Sequence, residues 1–398
     1  MQFVDSAFAH EVLRYLGAHG IAAGLVSPTA TAMRKSIIDA TEPFRDFLRA
    51  EGIHDFSAQF QGEEYKQLLQ AEYVYSNKLL PTTVSFYRPQ TKAGDPRIWF
   101  YRLKEYARPD DLLALIRSGN RLFIINANDT ALMDSINDPS TTLGSIAWAA
   151  RGALSQNAAG LLIKLRKISA LGFVQTVRIG DTGVGATLES LLGIASNNSR
   201  QPDYMGIEIK ASRQNRQWSN AKNRVNLFSQ VPDWLHPFSQ TASNAATTYG
   251  YSINGRQQLY CTVDAIKPNS QGLILWLDVE RGDLRLLHRA WSVETTVFIW
   301  SLDKLRARLK EKHPESFWVK ADVNFFQSLE HFHYHSAVHT SKPLLSNFAL
   351  AIADGTITLD LTMSIQGGGV RDHGYLFKIW PSDLTALFPA PMTYRLYD

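Results

Sequence analysis

Apolar residues recur at helical spacing near the start of the chain. Phe8, Val12, Leu13 and Leu16 fall on one side of a helix and a second stretch ends near Leu48, so residues 7–53 read as helical. The pattern then changes. Residues 84–87 (VSFY) and 98–101 (IWFY) are β-favouring runs on either side of a turn-rich segment, 88–97, and residues 122–125 form a further strand. Between these, residues 109–116 (PDDLLALI) look helical, and together the elements describe an α+β module. Residues 137–160 are small and polar with no two-residue alternation, which marks a linker. The division it predicts is 1–150 and 151–398.

After that segment a second pattern begins. Residues 187–194 are helical, with Leu188, Leu191 and Leu192 on one face, and residues 206–212 alternate as a strand does. Several strands follow over 249–300, with hairpin signals at Asn254-Gly255 and Arg281-Gly282. An amphipathic helix over 302–312 and strands at 356–363 and 375–379, flanking the glycines at 367–369, complete the second half. No internal repeat is evident.

Composition narrows the class. The chain has 398 residues, 45% hydrophobic and 20% charged, more than one core usually holds, so two domains are expected and a disordered or fibrous chain is excluded. No apolar run approaches the roughly 18 to 20 residues of a membrane span, which points to a soluble protein with no membrane partner. The first residues (MQFVDSAFAHEV) lack the basic-then-apolar pattern of a secretory signal. Cys261 is the single cysteine, so an internal disulfide and a cysteine-based zinc cluster are both excluded, and a cytoplasmic location is expected. The net charge is +4, unevenly placed: residues 1–160 hold 16 basic against 17 acidic residues, and 161–398 hold 25 against 20. A basic second half suits a polyanionic partner.

Residues 180–213 carry the chemistry. Gly180 and Gly185 have the spacing of a phosphate loop, but Ala186 stands where such a loop needs its lysine, so nucleotide binding is not supported. In residues 206–212 (GIEIKAS), Ile207 and Ile209 point to one face of a strand and Glu208 and Lys210 to the other. Asp203 precedes Glu208 by five residues, near enough for a turn to bring its carboxylate back, and Glu189 sits beside the apolar face of its helix. Three carboxylates and an ammonium at a strand end suit Mg²⁺ (Mn²⁺ as a substitute) and phosphodiester hydrolysis. The ordinary alternative for Glu-x-Lys is a solvated face with a weak ion pair.

The wider pattern resembles the MvaI/BcnI restriction endonuclease family, a MutH-like branch of the PD-(D/E)xK nucleases: a helix ending Leu-Glu-x-Leu-Leu-Gly, then Pro202-Asp203, then 206–210 (GIEIK) with a basic residue soon after. The resemblance covers roughly 160–398. It implies an α/β catalytic domain with a central mixed sheet, in which Asp203, Glu208 and Lys210 are catalytic, Glu189 completes the site, and Glu189, Asp203 and Glu208 hold the metal. It also implies Mg²⁺-dependent cleavage of double-stranded DNA at a short CCNGG-like site, the strands cut in succession by a monomer, with a cognate DNA methyltransferase in the host. Arg213, Arg216, Lys222 and Arg224 are expected to grip phosphates, a solvated loop being the alternative. Asp360, Arg371, Asp372, His373 and Lys378 resemble the family's major-groove readers, although Thr362 and Lys378 stand where arginines are expected. For Asp372 and His373 the alternative is a buried hydrogen-bonded pair. His331, His333 and His335 alternate near His339, and a row of DNA-facing or interstrand histidines is favoured over a zinc site.

The first 150 residues need their own account. Arg88, Lys92 and Arg97, interleaved with Phe86, Tyr87, Trp99, Phe100 and Tyr101, offer phosphate and groove contacts. In position and composition the module weakly resembles the accessory DNA-binding pseudobarrel of EcoRII-type enzymes; a protein-interaction or scaffolding domain is the alternative. The expectation is therefore a type II restriction endonuclease with an accessory domain. Its rivals are a strand-specific repair nickase, a modification-dependent nuclease, and a non-catalytic DNA-binding regulator.

Overall fold

The computed structural model describes residues 7–91, 93–151, 154–194, 202–214, 224–278, 281–290, 293–366 and 369–397, except for the side chains of residues 7, 151 and 366. Seven strands make the N-terminal sheet: β1 (Ala23–Val26), β2 (Ile38–Asp39), β3 (Gln67–Tyr75), β4 (Lys78–Tyr87), β5 (Arg97–Phe100), β6 (Leu113–Ser118) and β7 (Arg121–Asn126). They pair in the order β1-β6-β7-β3-β4-β5-β2, antiparallel except for β3 against β7. Both faces are covered. Helices α1 (Ala7–Ala18), α5 (Thr130–Asp134) and α6 (Thr142–Arg151) pack on one face, and α2 (Ala30–Lys35), α3 (Glu42–Ala50) and α4 (Leu103–Tyr106) on the other. Gly24 lets α3 lie directly on β1, since a Cβ there would collide with the Phe47 ring.

The remaining chain builds three sheets, beginning with α7 (Gln156–Ser169), β8 (Val174–Gln175), α8 (Gly183–Leu192), β9 (Glu208–Arg213), β10 (Val225–Ser229) and α9 (Ala242–Tyr249). Then come β11 (Tyr251–Ile253), β12 (Arg256–Val263), β13 (Leu273–Asp278), β14 (Asp283–Ala290), β15 (Val293–Ser301), α10 (Leu302–Lys312), β16 (Ser316–Phe326) and β17 (Leu329–Thr340). Helix α11 (Asn347–Ala353) and strands β18 (Ile357–Gln366), β19 (Gly369–Ile379) and β20 (Met392–Arg395) finish the fold. One sheet runs β20-β17-β16-β9, with β8 also on β17 and β9 parallel to β16. Another runs β10-β19-β18-β12-β11, and the third is the meander β13-β14-β15. Helices α7 and α8 cover one face of the first sheet through Leu161, Leu165, Val184 and Leu188. Helix α10 forms where the pattern predicts: Ser301 caps it by accepting from the Lys304 amide, and Leu302, Leu305 and Leu309 are buried.

Three expectations are corrected. Residues 109–116 are not a helix; Leu113 to Ile116 belong to β6, where Leu113 and Leu115 enter one core and Ala114 and Ile116 the other. A strand buried on both faces shows no alternation, so its apolar run mimics a buried helix. Residues 7–53 are not continuously helical either, because β1 and β2 interrupt them. The segment 137–160 is largely helical among its described residues: α6 sends Leu143 and Ile146 into the N-terminal core, while α7 packs into the next core. On α8, Leu188 and Leu192 are buried as expected, but Leu191 is 38% exposed.

Candidate active site

The site begins with a tight turn. Tyr204 and Ile207 exchange backbone hydrogen bonds of 2.9 and 2.8 Å around Met205 (φ 47°) and Gly206 (φ 86°), two left-handed residues that reverse the chain within two positions. This folds Asp203 back over the start of β9, where its Oδ2 accepts from the Ile209 amide at 3.0 Å. Ile207 and Ile209 are buried in the core beneath α8, so Glu208 and Lys210 occupy the other face, as the alternation predicts. Glu208 is not on a solvated face. It is 0% exposed, and Lys210 donates to its Oε1 while the Lys312 Nζ lies 2.7 Å from its Oε2. The same Lys312 ammonium is 3.7 Å from Asp203 Oδ1. Burial pushes the Glu208 carboxyl above its ordinary value; Lys210 and Lys312 pull against that shift and the Asp203 charge adds to it.

Lys312 was not among the sequence candidates. Its position at the last turn of α10 reads as an ordinary match to the helix dipole, and nothing in the local pattern shows that the helix ends at Glu208. The next residue anchors that end. His313 is fully buried, hydrogen-bonded through Nδ1 to Ser316 Oγ and through Nε2 to the Leu227 carbonyl, both at 2.7 Å. Burial pushes its pKa down to about 3, so the ring is neutral, with Nε2 donating to the carbonyl and Nδ1 accepting from the hydroxyl. Ser316 aligns with Glu208 across β16 and β9, which ties the helix end to the strand that carries the carboxylate.

Glu189 arrives from α8. Thr187 Oγ1 donates to the Gly183 carbonyl and accepts from the Val177 amide, and Tyr334 donates to the Val184 carbonyl at 2.7 Å, so the helix is fixed on the sheet. Burial, followed by the negative charge of Asp203, raises the Glu189 carboxyl, against the opposing pull of Lys210, Arg178 and Lys312. Among the described residues no three His, Cys, Asp or Glu side chains stand close enough to cage a metal ion. What the site offers is Asp203 and Glu208, two hard oxygen donors that share one lysine, with Glu189 within electrostatic reach. That set fits a cation such as Mg²⁺, which is bound by one or two carboxylates and keeps its remaining positions for water and phosphate.

The residues expected to contact DNA divide into three groups. Arg213 is half-buried and engaged within the protein: Nε and Nη2 grip Glu330 at 2.8 and 2.6 Å, and Nη1 and Nη2 reach the carbonyls of Asp181 and Gly180. Arg88 is likewise spent, on the carbonyls of Gly94, Gln59, Phe56 and Ala93. Arg97 is half-buried with its guanidinium 6.0 Å from the Tyr87 ring. These three brace loops and strands, a use of arginine that composition does not reveal. The second group gathers on the polar face of β12, β18 and β19, where Asp360 accepts from Arg224 and Thr262 and pairs with Lys378 at 2.9 Å. Burial would raise the Asp360 carboxyl, but Lys378, Thr262 and Arg224 outweigh it and hold it low. Third, Arg371, Asp372 and His373 are consecutive exposed residues of β19, so Asp372 and His373 are not a buried pair. Asp372 accepts from the Gly374 amide at 2.7 Å. Lys92, Arg216 and Lys222 lie outside the described residues. Of the histidines, His333 sits 5.6 Å from the rings of Phe173 and Tyr397, while His339 is buried against Glu315 at 2.7 Å.

A strand-end carboxylate and lysine on a mixed sheet backed by helices is the arrangement of a restriction-type nuclease. The model of the MvaI/BcnI restriction endonuclease family matches residues 162–388, and the chain belongs to that family. Two solved structures match this chain, the first of them at the level of the fold. Restriction endonuclease MvaI in complex with its cognate DNA substrate shows 22% identity and a TM-score of 0.52, spanning 61% of this chain and 100% of its own. MvaI in the absence of DNA shows 22% identity and a TM-score of 0.37, with 62% and 99% covered. No curated protein matches. The protein is a nuclease, and no helix among the described residues is long and apolar enough to cross a membrane.

Proposed function

We propose that this enzyme cleaves double-stranded DNA at a short CCNGG-like sequence as a type II restriction endonuclease, with Asp203, Glu208 and Lys210 at the reacting phosphate. One observation carries the assignment: Glu208 is fully buried at a strand end, yet ionic partners bracket it and Asp203 is turned back onto the same strand. A solvated surface pair does not bury its carboxylate. A divalent cation, Mg²⁺ or Mn²⁺, would be held by Asp203 and Glu208 with Glu189 supporting, and would supply a Lewis acid at the scissile phosphate. Lys210 is placed to orient the attacking water or take its proton. Lys312 keeps the two carboxylates from repelling each other and lends positive charge where the phosphorane develops its own negative charge.

Duplex DNA as substrate is supported by the family match and by the DNA complex of the similar fold. Asp360 and Lys378 on the polar face of β12, β18 and β19, with Arg224 beside them, and the exposed Arg371, Asp372 and His373 farther along β19 are the proposed base-reading groups. No phosphate contact is proposed for Arg213 or Arg88. Residues 1–150 are assigned an accessory role on DNA, and a host methyltransferase that protects the site is the partner such an activity requires. The test is incubation of the full chain with unmethylated phage DNA and Mg²⁺, beside an EDTA control and Asp203→Ala, with the ends sequenced. Discrete metal-dependent fragments that vanish in the variant are expected. Cleavage that persists in Asp203→Ala would refute the site, and intact DNA with specific binding would refute the activity on unmodified substrate.

A further inference from the structure

Lys320 stands on the strand beside the proposed catalytic lysine, and its surroundings differ from those of the other two lysines at the site. β16 runs parallel to β9 with Trp318 aligned on Lys210 and Lys320 on Ser212. Ile209, Phe317 and Val319 enter the core beneath α7 and α8, so Glu208, Lys210, Ser212 and Lys320 share the opposite face. Two residues of strand put Ser212 about 6.6 Å beyond Lys210. The Lys320 Nζ donates to Ser212 Oγ at 2.8 Å. Among the described residues no acidic side chain pairs with it, whereas Lys210 and Lys312 both have Glu208.

The energetics of this position are unfavourable in the free protein. Burial of Lys320 lowers its pKa from the ordinary value, and a serine hydroxyl solvates an ammonium without neutralising it. An apolar side chain of similar length would fill the same space at lower cost. A lysine there makes sense when an anion arrives from outside, and on this face the anion present during the reaction is the DNA backbone. We propose that Lys320, assisted by Ser212, binds a backbone phosphate next to the scissile one and so adds to the affinity for the strand that lies over Asp203, Glu208 and Lys210. This rests on the nuclease assignment above and names a contact that assignment does not include.

The experiment uses the full chain, Lys320→Met and Lys320→Arg, with a short duplex carrying the cleavage site mapped on phage DNA. Binding is measured in EDTA against salt concentration, turnover in Mg²⁺, and stability in urea. For Lys320→Met the slope of log K against log salt should shrink by about 0.9, the value for one phosphate, with affinity weakened roughly tenfold at any sequence. KM should rise by about the same factor with kcat within about twofold, which is the signature of lost uniform binding. The urea midpoint should hold or increase, because an uncompensated charge has been removed, and Lys320→Arg should keep the salt slope. An unchanged slope and KM overturn the proposal while leaving the nuclease assignment standing. A fall in the urea midpoint also overturns it, by showing that the lysine serves the fold. Wild-type chain that neither binds nor cuts the duplex defeats the nuclease assignment, and this contact with it.

Discussion

Asp46 and Arg306 form an ion pair across 260 residues of sequence, joining α3 of the N-terminal sheet to α10, whose far end carries Lys312. Both side chains are nearly buried, at 7% and 5% exposure. Asp46→Ala would strand the guanidinium, which keeps only the Leu345 carbonyl at 3.3 Å and the largely exposed Asp303 at 3.4 Å. Removing one partner of a buried pair costs about 3–5 kcal/mol, and the two residual contacts place this loss near the lower end, about 3 kcal/mol. With a urea m-value of about 3 kcal/mol/M for a unit of this size, the midpoint should drop by about 1 M. Replacing both partners, Asp46→Leu with Arg306→Met, should recover most of it, since an apolar pair leaves no buried charge unmet. Arg306 and Lys312 are six residues apart on one helix, about 9 Å along its axis. The single variant should therefore also lower kcat as the Lys312 end loosens, and the double variant should restore it. A midpoint within about 0.2 M of wild type for Asp46→Ala would refute the claim that this pair bears load.

Two further predictions concern the active site. His313 has its folded pKa pushed down to about 3, so the unfolded chain binds a proton between about 3 and 6.5 that the folded chain refuses. Stability from this group is complete above pH 6.5 and is lost as pH falls toward 3, by an amount on the order of 4–5 kcal/mol; urea midpoints across that range should decline more steeply for wild type than for His313→Asn, and parallel curves would contradict the neutral assignment. Gly206→Ala meets open space but sits at φ 86°, so it should cost about 1–2 kcal/mol in stability and, by shifting Asp203, a larger fraction of kcat. Retained turnover would show that the turn does not place the carboxylate.

Much of the geometry of strand β9 was legible because its pattern is local. Alternation around Ile207 and Ile209 places Glu208 and Lys210 on one face, and the five-residue spacing from Asp203 to Glu208 leaves room for the turn that returns Asp203. Lys312 was hidden, since its role depends on where α10 ends relative to a strand a hundred residues earlier. The arginines' contacts were hidden for a related reason: a sequence shows charge, and the structure shows that Arg88 and Arg213 bond to carbonyls and Glu330. Strand β6 was misread because burial on both faces erases the period on which such reading depends.

The N-terminal sheet is more than a tethered addition to the family's fold. MvaI matches over its whole length to 61% of this chain, and the family model matches residues 162–388. Here, however, Leu344 is buried in the core beneath α3 with Met33, Phe44 and Phe47, the Ala390 amide donates to the Ala18 carbonyl at 2.9 Å, and Arg306 meets its buried acid, Asp46, on α3. Cutting the chain at residue 150 would remove the partners of Leu344, of the Ala390 amide and of Arg306 on the helix that carries Lys312. Residues 151–398 therefore carry an apolar side chain, Leu344, and an ion-pair partner, Arg306, whose contacts lie in the N-terminal residues, and the Arg306 contact ties α10, the helix that ends at Lys312, to α3.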